Sequence, residues 1–223
     1  MIRVGMIVPA NNVALEYDMY HMAPSIISFH STRMRPSRGC EPQDPEKFRR
    51  ELGEAYNLIK KISDVTVYGR TYGTHKNIEI IKTVIKKNLI IPEVSVMNLL
   101  RYKKINNVWL GTPYIKERTA EEANYFKSNN FNITGFAGLN KIYGLDISNT
   151  GDDEIIKMIE NEKSSVMAAD AIYLSCTALP THSVINKVMK KFNMMVISEN
   201  SAILWEISRI FNINFEIPGI SKF

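Results

Sequence analysis

Cysteine is nearly absent from this sequence: Cys40 and Cys176 are the two present in 223 residues. Two are too few for a disulfide framework, and they have no metal-ligand spacing. Nor is there a zinc-type cluster elsewhere in the chain. No apolar run approaches the roughly 18 residues of a membrane span. The opening Met1-Ile2-Arg3-Val4-Gly5-Met6-Ile7-Val8-Pro9 lacks the long apolar core and small-residue cleavage site of a secretion signal. It reads as a first buried strand, and the expected location is cytoplasmic. The phosphate-cradling loop is missing as well. Gly69-Arg70-Thr71-Tyr72-Gly73-Thr74-His75 has neither its glycine spacing nor its Lys-Ser/Thr ending. No G-x-G-x-x-G follows the first strand, and no G-x-S-x-G elbow occurs. By elimination, the expected chemistry is cofactor-independent and needs no metal.

The net charge of +5 would suit an anionic substrate. The lysines are spread evenly, however, and the pairs Lys86-Lys87, Lys103-Lys104 and Lys190-Lys191 stand near element ends. They form no basic stripe with interleaved aromatics, so nucleic acid is not an expected partner. Cys40 lies in a Pro/Gly-rich loop and reads as incidental, although a substrate-covering loop could bring it close.

What the chain does have is alternation and an internal echo. Short apolar strands (Val4–Val8, Ile26–Arg33, Val65–Gly69, an extended run near Ile90–Val94) alternate with helices at Pro45–Ile62 and Ile78–Lys87. The second half repeats the order. Its strands are Val108–Gly111, Ile133–Gly138, Ala171–Ser175 and Met195–Ser198; its helices are Glu117–Asn129, Asp152–Ile159, Thr181–Phe192 and Ser201–Phe211. Such alternation predicts parallel sheets covered on both faces. The echo is between Asp64-Val-Thr-Val-Tyr-Gly-Arg70-Thr71 and Asp170-Ala-Ile-Tyr-Leu-Ser-Cys176-Thr177, each closed by a histidine, His75 or His182. Two α/β halves joined near residues 98–106 fit the spacing: 1–100, 101–200, and a final helix and tail over 201–223. Ligands bind beyond the carboxyl ends of parallel strands. Those ends carry Asn11-Asn12, Arg70-Thr71, Thr112-Pro113-Tyr114 and Cys176-Thr177, which should share one cleft.

A helix is expected to begin soon after Cys176. A helix N-terminus would lower the thiol pKa and poise it as acid, base or nucleophile. The bland alternative is a buried cysteine packing as a small hydrophobe. Thr71, Thr74 and Thr177 stand where helix N-termini and their amides can bind a carboxylate, or where they simply cap. Arg70 could clamp a second carboxylate, or could point into solvent. Asn12 and Tyr114 could donate to substrate oxygens, or serve a turn and a core. His75 and His182 read as caps, bases or structural groups.

These residues resemble the aspartate/glutamate racemase superfamily, in its branch of maleate cis-trans isomerases and arylmalonate decarboxylases. Val8-Pro-Ala-Asn-Asn12 resembles the N-terminal V-P-S-S-N, and Leu110-Gly-Thr-Pro-Tyr114 matches L-G-T-P-Y. Asn140 with Gly144 is similar to an N-x-x-x-G segment. Leu174-Ser-Cys-Thr-Ala-Leu179 resembles the surroundings of the second catalytic cysteine, and Asn200-Ser-Ala-Ile-Leu-Trp205 resembles N-Q-A-L-L-W. The resemblance implies two pseudosymmetric flavodoxin-like halves with the substrate between them, a last helix returning to the first half, and a homodimer. It implies that Cys176 is catalytic, that Thr71 belongs to a carboxylate-binding hole, and that Asn12, Tyr114 and Asn140 contact substrate.

The chain departs from the family at the first cysteine. Isomerases and racemases carry Y-G-C-T-S-G there, whereas this chain has Tyr68-Gly69-Arg70-Thr71-Tyr72-Gly73. An arginine stays protonated and replaces neither a nucleophile nor a second base. Decarboxylases of the branch also keep only the second cysteine, with glycine at the first place. The expectation is a cofactor-free lyase or isomerase acting on a small di- or polycarboxylate, with Cys176 moving the proton and Arg70, Thr71, Tyr114 and Thr177 holding the anion. The alternatives are an isomerase using Cys176 as sole thiol and a non-catalytic carboxylate binder. A thiol pKa below that of free cysteine would favour the enzyme; an unreactive thiol would favour the binder.

Overall fold

The computed structural model describes residues 1–35, 44–86 and 88–221. Cys40 and the stretch around it expected to form a loop lie outside the described residues. Elements follow in the order β1 (Ile2–Pro9), α1 (Ala14–Met22), β2 (Ile27–Met34), α2 (Pro45–Ile59), β3 (Val65–Tyr68), α3 (Thr74–Val84), β4 (Leu89–Ile90) and α4 (Pro92–Tyr102). The second half has β5 (Asn107–Thr112), α5 (Lys116–Ser128), β6 (Asn132–Gly138), α6 (Gly144–Ser148), α7 (Asp152–Asn161), α8 (Lys163–Val166), β7 (Ala171–Leu174), α9 (Val184–Phe192), β8 (Met195–Ser198) and α10 (Glu199–Phe211).

The two halves use one topology twice. Each is a parallel four-stranded sheet, ordered β2-β1-β3-β4 and β6-β5-β7-β8. Strand order reverses between β1 and β3, and again between β5 and β7, which opens a crevice at the carboxyl ends of those strands. β3 and β7 are buried along their whole length, as expected of strands covered on both faces. The echoed aspartates are part of the scaffold. Asp64 accepts from the Arg3 amide at 2.9 Å, and Asp170 accepts from the Asn107 amide at 3.1 Å. Each ties the start of one central strand to the next.

Several elements differ from the sequence expectation. The run expected to be extended at Ile90–Val94 is a two-residue strand followed by helix α4. Pro92 occupies the first helical turn, where its missing N–H costs nothing. Helix α1 escapes the sequence reading: its charged and aromatic residues blur the apolar period, yet Leu15, Asp18, Met19 and Met22 are buried. Helix α9 starts at Val184 rather than Thr181, behind a turn that runs from Thr177. Helix α10 packs on α4 of the first half, where Trp205 meets Tyr102 and Asn98 donates to Glu206. No helix among the described residues is long and apolar enough to cross a membrane.

Candidate active site

The carboxyl ends of β1, β3, β5 and β7 enclose a cavity of about 100 Å³. Asn12, Arg70, Thr71, Tyr114, Cys176 and Thr177 all line it. Asn140 is exposed and absent from the lining; its amide donates to the Tyr114 carbonyl at 3.1 Å. The opposite end of its motif does reach the cavity, at Gly144. Gly138 matters for a related reason: a Cβ there would sit 2.2 Å from the Tyr114 carbonyl oxygen, so only glycine lets this loop close on Tyr114.

Cys176 is 6% exposed and has φ +91°, a backbone conformation that costs an L-residue on the order of 1–3 kcal/mol. Its thiol is not the acidified group expected from sequence. Burial pushes its pKa up to about 12, and the neighbouring Glu199 and Glu122 push in the same direction. Hydrogen bonds from the Tyr114 hydroxyl and the Ala178 amide oppose the rise without cancelling it. The magnitudes explain the miss. A helix N-terminus contributes about 0.3–1 kcal/mol, and α9 begins eight residues after the thiol. Raising a thiol from 9 to about 12 corresponds to about 4 kcal/mol. Desolvation wins, and the thiol is held neutral.

Thr71 and Thr177 join the two halves at the cavity floor. The Thr177 amide donates to Thr71 Oγ1 at 3.1 Å, and Thr177 Oγ1 donates to the Gly69 carbonyl at 3.1 Å. Asn12 is largely committed to structure. Its Oδ1 accepts from the Ala14 and Leu15 amides at the start of α1, and its Nδ2 donates to Thr177 Oγ1 at 3.1 Å. Thr74 lies outside the cavity and donates to the Arg70 carbonyl. The two echoed histidines have parted: His75 stacks on Tyr125, and His182 meets the buried Asp18 at 3.2 Å.

Arg70 faces the cavity and is 6% exposed. Its guanidinium donates to the Arg35 carbonyl at 3.1 Å and hydrogen-bonds with Tyr68. Among the described residues it forms no ion pair with a carboxylate. Arg118, from the first turn of α5, is a second guanidinium in the lining and stacks over Tyr72 at 4.7 Å. Sequence reasoning missed it because Lys116-Glu117-Arg118 reads as a solvated helix start. Its position four residues after Tyr114 was the available signal.

Sequence reasoning also missed what lies behind the thiol. Glu93, Glu122 and Glu199 are all at most 3% exposed and converge from α4, α5 and α10. Tyr173 contacts Oε1 of Glu122 at 3.2 Å and Oε1 of Glu199 at 2.9 Å. Glu199 Oε2 also meets the Thr71 hydroxyl, and the Cys176 amide hydrogen-bonds with the Glu199 carboxyl. Burial drives all three carboxyls toward the neutral form: Glu122 to about 7, Glu199 to about 8, and Glu93 well above its usual range. The signal in the sequence was glutamate inside apolar runs, as in Val196-Ile-Ser-Glu199-Asn-Ser-Ala-Ile-Leu204.

Two pseudosymmetric parallel halves with a buried thiol at their shared crevice define a class, the aspartate/glutamate racemase type of enzyme. Within it, the chain belongs to the arylmalonate decarboxylase family, whose model matches residues 86–223. A maleate isomerase from Geobacillus stearothermophilus is 23% identical over 97% of this chain and 94% of its own. Among solved structures, a maleate cis-trans isomerase from Nocardia farcinica holding a covalent succinylcysteine intermediate superposes with a TM-score of 0.83. It is 19% identical, with 98% of this chain and 96% of that one covered. Unliganded arylmalonate decarboxylase gives 0.80 at 19% identity, covering 99% and 97%. At those identities the structural likenesses establish the fold, and they bear out the two-half architecture expected from the echo.

Proposed function

We propose that this protein is a cofactor-independent lyase that decarboxylates a small di- or polycarboxylate, with Cys176 as the proton donor. The observation that carries this reading is a neutral, buried thiol sharing one small cavity with two guanidiniums. A nucleophilic isomerase needs the thiolate, which the burial of Cys176 disfavours. The raised pKa, which the sequence reading would have counted toward a non-catalytic binder, counts here against a nucleophile and not against an acid: a proton donor needs the thiol, which the same burial keeps.

The chemistry balances without a co-reactant. The bond between the α-carbon and one carboxyl group breaks, and carbon dioxide leaves. The electron pair passes to the retained carboxylate, forming an enediolate. Cys176 gives its proton to the α-carbon, and solvent later restores the proton to sulfur. The enediolate carbon is far more basic than a thiolate, so a high thiol pKa does not block the transfer. Tyr114 and Ala178 stabilise the thiolate that results. Charge on the retained carboxylate roughly doubles in the transition state, so cations and donors beside it favour that state over the bound substrate. Arg70 and the Thr71 hydroxyl fit that role; Thr177, whose amide and hydroxyl are both committed within the protein, shapes the floor beneath them. Arg118 supplies a counter-charge for a further carboxylate, and the small polar cavity favours a compact anion.

Proton NMR in deuterated water tests the reading against a panel of maleate, citraconate, substituted malonates, aspartate and glutamate, beside Cys176→Ala. Decarboxylation with deuterium at the α-carbon, lost in Cys176→Ala, is the expected result. Conversion of maleate to fumarate would replace it with the isomerase reading of the same site. Silence across the panel, with some members raising the melting temperature, would make the protein a carboxylate binder.

A further inference from the structure

The three buried glutamates take no part in the mechanism above, yet one of them touches it. Thr71 Oγ1 lines the floor of the cavity and has two partners among the described residues: the Thr177 amide, which donates to it, and Glu199 Oε2. A hydroxyl has one proton and two lone pairs. If Glu199 is a carboxylate, the Thr71 proton points down into it and the hydroxyl offers the cavity nothing but a lone pair. If Glu199 carries a proton, it donates to Thr71 Oγ1. Both lone pairs are then filled, by Glu199 and by the Thr177 amide, and the Thr71 proton is left to point at the ligand. We infer that Glu199 is a positioning residue whose own proton turns the Thr71 hydroxyl toward the bound carboxylate. The inference rests on reading the cavity as a carboxylate site.

The surroundings favour the protonated state. Burial and Glu122 of α5 hold the proton on, and Glu93 of α4 adds like charge. Hydrogen bonds from Thr71, from Tyr173 of β7 and from the Cys176 amide pull toward the carboxylate without reversing the balance; Tyr114 also faces the group. No described lysine, arginine or histidine forms an ion pair with Glu93, Glu122 or Glu199; Arg70 and Arg118 are spent on the cavity wall. Like charges so close in a low-dielectric interior cannot all ionise. Tyr173 adds an independent count. Its single proton stands between Oε1 of Glu122 and Oε1 of Glu199, so both contacts are satisfied only when one carboxyl donates back. Burial holds the Glu199 proton to about pH 8.

Calorimetric binding of malonate and maleate from about pH 6 to about pH 10 tests this. Wild-type affinity is expected to fall about tenfold through the alkaline limb, the loss of one hydrogen bond to a charged group. Glu199→Gln keeps a donor at Thr71 and cannot ionise. It should bind like the wild type at the acid end and lose the limb. Thr71→Val should bind weakly at every pH, and adding Glu199→Gln to it should change nothing further. A limb that persists in Glu199→Gln would overturn the inference. If the wild type binds neither probe at any pH, the carboxylate-site reading fails. Infrared spectroscopy then judges the proton by itself: a carboxylic-acid carbonyl band at neutral pH that weakens in Glu199→Gln supports it, and an unchanged spectrum refutes it.

Discussion

The segment after β3 and the segment after β7 occupy equivalent places in the two sheets, and they have been put to opposite uses. Their scaffolding is shared. Gly69 and Ser175 each donate an amide to the neighbouring central strand at 2.9 Å, and Asp64 and Asp170 each clamp the strand opening. Six positions on, one half presents Arg70, whose φ is not positive, and the other presents Cys176 at φ +91°. One wall of the cavity therefore carries a permanent charge; the other carries a thiol that burial keeps neutral, on a strained backbone, over a cluster of buried glutamates whose pKa values are raised. A duplicated fold need not duplicate its chemistry. With two thiols, it could take a proton from either face; with one thiol and one guanidinium, the proposed reaction binds on one face and protonates from the other.

Breaking the thiol side should have the largest effect. Cys176→Ala is expected to lower turnover by about 10²–10⁴-fold, the usual contribution of a positioned acid, while malonate still binds. Alkylation by iodoacetamide should be slow at neutral pH and should keep rising with pH past 9, where an ordinary thiol levels off; rapid alkylation at pH 7 would mean that the thiol is ionised and would revive the nucleophilic isomerase. Breaking the cation side should cost less and act on binding. Arg70→Met removes a charge-assisted hydrogen bond worth about 1.5–3 kcal/mol, or roughly ten- to a hundredfold in dicarboxylate affinity. Equal binding by the two proteins in calorimetry would take Arg70 out of the site.

The acids behind the thiol give a third, smaller effect on stability. Glu122 and Glu199 have pKa values in the fold above the ordinary carboxylate value of 4.5, so the native state holds protons that the unfolded state releases. Their contribution is fully present below about pH 4.5 and is lost as pH rises through about 7 to 8. Urea melts at several pH values should show Glu199→Gln gaining on the wild type across that window. A constant difference between the two proteins would show that Glu199 ionises as an ordinary carboxylate.

Much of this architecture was legible in the sequence because repetition is a strong signal. Two runs of buried strand with an aspartate in front and a threonine behind led directly to the paired sheets and to the residues that line the cavity. The missing parts are those in which tertiary burial overrides a local rule. A helix starting directly behind Cys176 would have favoured the thiolate by only about 0.3–1 kcal/mol; Thr177 stands in a turn, and burial decides the pKa. Glu93, Glu122 and Glu199 lie far apart in the chain, and nothing local shows that α4, α5 and α10 bring them together. Arg118 looks like any charged residue in a first helical turn until Tyr72 is found beneath it.

The smallest expected effect bears most directly on the asymmetry. If Cys176 is held at φ +91° by its surroundings, replacing it with alanine keeps the strain and replacing it with glycine removes it. Glycine loses about 0.4–1 kcal/mol through its freer unfolded chain, against a strain of about 1–3 kcal/mol. Cys176→Gly should therefore be more stable than Cys176→Ala by about 1 kcal/mol. The same pair of changes at Arg70, where φ is not positive, should run the other way, with alanine the more stable. Denaturant melts of the four variants decide it. Glycine losing at both positions would mean that the two segments share one backbone and that their difference is carried by side chains alone.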